Sequence, residues 1–218
     1  MTLRMHVKDN IRRAKDSISR IRDLNGVGQE VKLIAVTKSA TLDQAREAIE
    51  AGVDGVAESR VHFAEEKFPH LENVKKHMIG HLQRNKVKRA VELFDVIQSV
   101  DSLKLAKEID KRSGEMGKVM EIMLQVNVSG EDQKFGFGEE EVEGAYREIL
   151  ALMNLKVIGI MVMAPFVSAE ETREYFRKAN EIKEKLKLRE LSAGMSNDYE
   201  IAVEEGSTMV RLGRTLFD

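Results

Sequence analysis

The run VMEIMLQVNV, residues 119–128, is largely apolar on both of its faces, and that double-sidedness decides how the chain folds. In a pleated strand, alternate side chains point to opposite faces. Met123, Gln125 and Asn127 share one face, while Ile122, Leu124 and Val126 share the other. The wholly apolar set is the one to meet a layer of helices. That turns Gln125 and Asn127 to the inside, near the C-terminal end of the strand. Strands covered on both sides belong to parallel sheets.

Seven more runs of the same kind lie outward from it: VKLIAV (31–36), DGVAE (54–58), KKHMIG (75–80), FDVIQSV (94–100), LKVIGIMVM (155–163), RELSAG (189–194) and TMVRLG (208–213). They recur every ~20–35 residues, the span of a strand–helix–strand unit. Helix signals fill the gaps. Thr41 with Gln44 and Ser168 with Glu171 have capping-box spacing, and Asn197 with Glu200 is a weaker start of the same type. Tyr175, Phe176, Ala179, Ile182 and Leu186 form one apolar stripe, and Leu105, Ala106 and Ile109 form another.

Eight strands with intervening helices fit either an open doubly wound sheet or a closed (β/α)8 barrel of the TIM type. The barrel is preferred, because no G-x-G-x-x-G follows the first strand. The sequence stops at Asp218, so no helix is expected after the eighth strand. A helix carrying Val7, Ile11, Ala14, Ile18 and Ile21 precedes the first strand and is expected to fill that place. Residues 1–218 read as a single domain.

Composition narrows the function. A net charge of -2 argues against a chain built to grip nucleic acid over its whole surface. The cluster Arg84, Lys86, Lys88 and Arg89 lacks interleaved aromatics and reads as the solvated face of a helix. With no cysteine there is no disulfide, thiolate metal site or cysteine nucleophile, and no His/Asp/Glu cluster has metal-ligand spacing. No apolar run is long enough to cross a membrane, and the charged N-terminus lacks a signal-peptide pattern, so the expected location is cytoplasmic.

Active sites of such barrels form at the C-terminal ends of the strands. Lys38, Glu58, His81, Ser99, Asn127, Met163, Ser196 and Arg211 fall there. Arg211 shares an inward face with Met209 and Gly213, and Lys38 shares one with Ile34 and Val36. Gly194 and Ser196 before one helix, and Gly213 with the amides after it, can offer N–H groups to a phosphate. For Lys38, desolvation and the like charge of Arg211 are expected to favour the neutral amine, the form that attacks an aldehyde.

The motifs IAVTKS, GHLQRNK, SVDS, QVNVSGEDQKFGF, GIMVMAP, LSAGMSND and EEGSTMVRLGRTLF, in this order, resemble the YggS/PROSC family, the pyridoxal phosphate homeostasis proteins. The resemblance implies the barrel of the alanine racemase N-terminal domain, fold type III, holding pyridoxal 5'-phosphate (PLP) without an established reaction. It implies Lys38 as the Schiff-base lysine and Ser196, with backbone around Gly213 and Arg214, as the phosphate site. Arg211 would lie against the pyridine nitrogen, with His81, Asn127 and Met163 lining the pocket. Ala57, Glu58 and Ser59 stand where the family usually shows Gly-Glu-Asn. Ser59 for Asn is expected to weaken one polar contact to the cofactor ring. Ser39, Ala40 and Thr41 follow Lys38 without the family's frequent proline, with little consequence expected.

The resemblance also implies a monomer. The carrier reading has PLP-dependent apoenzymes as recipients. The alternative is a weak PLP-dependent amino-acid racemase. Racemisation needs an acid/base group on each face of the substrate carbon. Tyr146 and Tyr175 sit on apolar helix stripes, which leaves Tyr199 as the one tyrosine placed to approach the pocket.

Overall fold

The computed structural model describes residues 7–26, 28–131 and 133–218. The first element is the helix α1 (Val7–Asn25), and eight strands follow: β1 (Lys32–Val36), β2 (Gly55–Glu58), β3 (Lys75–Met78), β4 (Val96–Val100), β5 (Met120–Val126), β6 (Leu155–Val162), β7 (Glu190–Ser192) and β8 (Met209–Leu212). They close into one parallel barrel in chain order. β1 against β8 shuts the ring, with Ile34 opposite Arg211. Between them run α2 (Leu42–Glu50), α3 (Val61–Lys67), α4 (Val87–Leu93), α5 (Leu103–Glu115), α6 (Val142–Ile149), α7 (Arg173–Lys185) and α8 (Tyr199–Glu204).

The pleat sorts side chains as the sequence indicated. Ile122, Leu124 and Val126 join the main core between barrel and helices, with Val210 and Leu212. Met123 packs inside with Val96 and Met161, while Ile34, Val36, Ala57 and Met209 form a second interior cluster. α1 buries Val7, Ile11, Ala14, Ile18 and Ile21, and packs against α2 and α8, where it takes the place of a full-length eighth barrel helix.

Three expectations need correction. The chain does form a helix after β8, the single turn α9 (Arg214–Phe217). It closes because Leu216 and Phe217 donate their N–H groups to the Gly213 carbonyl, and because buried Leu216 is held by Asn10 of α1, whose Nδ2 donates to the Leu216 carbonyl at 3.1 Å. Thr41 and Gln44 form a complete capping box on α2. Ser168 and Glu171 form half of one: Glu171 accepts from the Ser168 N–H, but the Ser168 hydroxyl donates to that same carboxylate and caps no amide. Asn197 does not cap α8, because its Oδ1 accepts from Arg214.

Candidate functional site

At the C-terminal ends of the strands the barrel opens into a cavity of about 680 Å³. Lys38, Ser59, Asn127, Met163, Ser196, Arg211, Gly213 and Arg214 line it together, although they come from six separate segments of the chain. His81 does not line it. Its imidazole is exposed, stacks on Phe135 at 3.8 Å between ring centroids, and meets Asp101 at 2.9 Å through Nδ1. It therefore backs the cavity through Phe135, which does line it. Glu58 and Ser99, also placed at strand ends, are buried away from the opening.

Lys38 is held on a braced turn. Its neighbour Thr37 is buried, donates its hydroxyl to Glu58 Oε1 at 2.8 Å, and gives its carbonyl to Lys67 Nζ at 2.6 Å. The Ala40 N–H closes the turn onto the same carbonyl, and the α2 capping box follows at once. Lys38 itself is exposed and makes no hydrogen bond or ion pair among the described residues. The desolvation expected of it falls on Arg211 instead. Arg211 is buried, and that burial pushes its guanidinium down to about 10 from the ordinary arginine value, against the opposing charge of Asp198.

Arg211 is fixed from two sides, donating through one nitrogen to Ser192 Oγ at 2.6 Å and through another to the Val162 carbonyl at 2.9 Å. Across the lumen, the Ser192 hydroxyl donates to Gln98 Oε1 at 2.7 Å. The Gln98 amide nitrogen reaches His77 Nδ1 at 2.9 Å. A directed chain thus runs Arg211–Ser192–Gln98–His77 through the barrel. The pleat argument that singled out Gln125 also applies to Gln98, which shares a face with Val96, but sequence reading left Gln98, His77 and Ser192 unassigned.

His77 is held neutral, its pKa lowered to about 3 by burial first and then by Lys75 and Lys32. An unfolded histidine takes up its proton near pH ~6.5, so between that pH and about 3 the unfolded state binds more protons than the folded one. The stability His77 contributes is therefore present above pH ~6.5 and lost as the pH falls toward 3. His77→Gln is expected to flatten the acid limb of a urea-denaturation stability profile in that window.

On the far wall, Ser196 Oγ accepts from the Thr215 N–H at 3.3 Å, and Arg214 reaches Asn197 at 3.2 Å. Asp198, raised chiefly by burial, accepts from the Met195 N–H at 2.6 Å and so ties the loop to itself. Gly194 has a packing role: at φ +93 its missing Cβ would lie 2.6 Å from that of Ala202 on α8. Asn127 spends its amide on its own loop, donating to the Glu131 carbonyl and accepting from Ser129. The rim carries exposed apolar side chains that sequence reading did not single out, Phe135 at 54% and Phe166 at 98% exposure, beside Met195 and Val167. Tyr199 turns away: its hydroxyl donates to Glu200 at 3.2 Å, and it does not line the cavity.

The family described as "Alanine racemase, N-terminal domain" matches residues 7–218. The pyridoxal phosphate homeostasis protein of Aquifex aeolicus is 34% identical, over 98% of this chain and 98% of its own. Among solved structures, PipY of Synechococcus elongatus PCC7942 with PLP bound superposes with a TM-score of 0.80 at 34% identity, covering 93% of this chain and 100% of that one. An alanine racemase of Clostridium difficile shares the fold alone, at TM-score 0.76 and 17% identity, with 95% of this chain matching 55% of that one.

Proposed function

The chain belongs to the pyridoxal phosphate homeostasis proteins, built on the alanine racemase N-terminal barrel, and from that premise we propose that it binds PLP reversibly on Lys38 and passes it to apoenzymes. The residues of the mouth fit the group. A cavity of about 680 Å³ lies within the size range of small-molecule sites, and it offers a primary amine with no partner among the described residues, a fixed guanidinium and a hydroxyl beside backbone amides. When bound, PLP supplies an aldehyde that condenses with the Lys38 amine. Ser196 and the backbone around Gly213 and Arg214 hold the phosphate. Arg211 would stand against the ring nitrogen, and Ser59, Asn127 and Met163 would line the remaining wall, with His81 buttressing Phe135.

One observation carries the carrier reading: among the described residues, no tyrosine lines the mouth. Besides Lys38, the ionisable side chains that line it among the described residues are Lys134, paired with Glu131, the arginines 211 and 214, and Asp198, held by the Met195 amide. A second acid/base group poised over a substrate carbon is missing from this set. Arg211, a charged donor, would keep the ring nitrogen unprotonated and the ring a weaker electron sink than one paired with a carboxylate. The exposed apolar rim supplies a contact surface for a recipient enzyme. The protein acts as a monomer in the cytoplasm on this reading; no helix among the described residues is long and apolar enough to cross a membrane.

The test is a transfer experiment. PLP-loaded protein is mixed with a PLP-dependent apoenzyme, and the rate of reactivation is compared with the rate of spontaneous release into a small-molecule trap. Transfer faster than release is expected; equal rates overturn delivery. The same preparation should catalyse no exchange of amino-acid α-protons in deuterated water above that of free PLP.

A further inference from the structure

The barrel has a second opening at the N-terminal ends of its strands, where a cavity of about 610 Å³ enters the lumen over Ile34, His77, Val96 and Met209. His77 is 98% buried, taking its 2% exposure from the cavity it lines. The Gln98 oxygen is taken by Ser192, so its NH2 donates to His77 Nδ1, and the ring proton sits on Nε2. Nε2 has no hydrogen-bond partner among the described residues, and its ring lines the cavity, so its N–H is free to donate to what enters there. Gly55 makes room for it: a Cβ there would lie 2.8 Å from Nε2.

The rim is cationic. Lys32, Lys75, Lys156, Lys187 and Arg189 line it. Three carboxylates accompany them and are already engaged. Glu190 pairs with Lys32, Glu121 is shared by Lys75 and Lys156 at 2.8 Å each, and Asp54 accepts from the Leu33 N–H at 2.8 Å. Lys187 and Arg189 are exposed, and their side chains make no ion pair or hydrogen bond among the described residues. Two uncommitted cations thus stand over an opening whose floor holds an unanswered N–H donor.

We propose that this opening binds a small oxyanion of the phosphate or carboxylate class, with His77 Nε2–H as its donor inside and Lys187 and Arg189 as its counter-charges at the rim. The neutral imidazole suits the task, since it donates without needing to be protonated. Its other nitrogen ends the chain that begins on Arg211, so a bound anion touches the network that reaches the opposite mouth. The site stands on its own geometry and does not depend on what the mouth holds.

The test follows the imidazole nitrogens of the five histidines by NMR in labelled protein, titrated separately with inorganic phosphate and with succinate at constant ionic strength. A saturable shift at His77 is expected with at least one probe, and which probe acts separates phosphate from carboxylate. In the Lys187→Gln/Arg189→Gln variant the midpoint should rise about tenfold, the effect of removing two partly screened charges. In Ser196→Ala the His77 shift should persist. A His77 response that only follows sodium chloride, or one unchanged in the rim variant, overturns the site. So does a response lost in Ser196→Ala, because the anion would then sit in the far mouth.

Discussion

Replacing Lys38 by alanine is expected to abolish the visible absorption of lysine-bound PLP while leaving the protein folded. Both halves come from the same geometry. Lys38 is exposed and makes no hydrogen bond or ion pair among the described residues, so its truncation removes no packing and orphans no polar group there, and such surface changes stay within about 0.5 kcal/mol. The proposed covalent link, by contrast, has no substitute with the same support. Lys134 also lines the mouth, but it is paired with Glu131 at 2.7 Å on the 127–141 loop. The variant should keep weak, non-covalent PLP binding through Ser196 and the amides beside it, visible as quenched fluorescence without the band.

Stability should respond most to the ion pair beneath that lysine. Glu58 is fully buried, Lys67 is partly buried, and their charged atoms lie 3.2 Å apart. Glu58 Oε1 also accepts from Thr37, whereas Oε2 has no partner among the described residues. Lys67→Met leaves a carboxylate sealed in the fold with one hydroxyl for company. Removing one partner of a buried pair costs about 3–5 kcal/mol, and urea denaturation should show a loss of that size. Adding Glu58→Gln should recover much of it, because a neutral amide needs no counter-charge and can still accept from Thr37. If the double variant is no more stable than the single one, the pair acts through something other than its charge. Lys67 also holds the Thr37 carbonyl, so both variants should bind PLP less tightly than the parent, through a looser Lys38 turn.

Much of this was legible in the sequence, because barrel strands carry their orientation in plain alternation. All eight runs begin within two residues of the observed strands, and the facing of Met123 and Gln125, or of Met209 and Arg211, followed from the pleat. The mouth residues were legible because loops after strands must meet at one end of a closed ring. What was not legible depends on distances between strands that are far apart in the chain. Nothing local says that Gln98 on β4 reaches Ser192 on β7, or that His77 lies under both. β4 also shifts register between Ile97 and Val100, which accompanies the burial of Ser99, its hydroxyl without a partner among the described residues. His81 illustrates a different limit. Its position in the chain is right for the mouth, but its ring finds Phe135 and Asp101 first, on loops whose path no periodicity encodes. Asn197 and Asp198 differ by one position, yet the first holds Arg214 and the second holds the Met195 amide. Two polar side chains in one tight loop share its partners according to backbone direction.

The most direct measurement is borohydride reduction of the PLP-loaded protein, followed by mass mapping of its peptides. Reduction fixes whichever amine carries the cofactor. The geometry of the mouth predicts a single pyridoxyl adduct, on the peptide that contains Lys38. An adduct on Lys134 or any other lysine, or a yellow protein that yields no adduct, would contradict it.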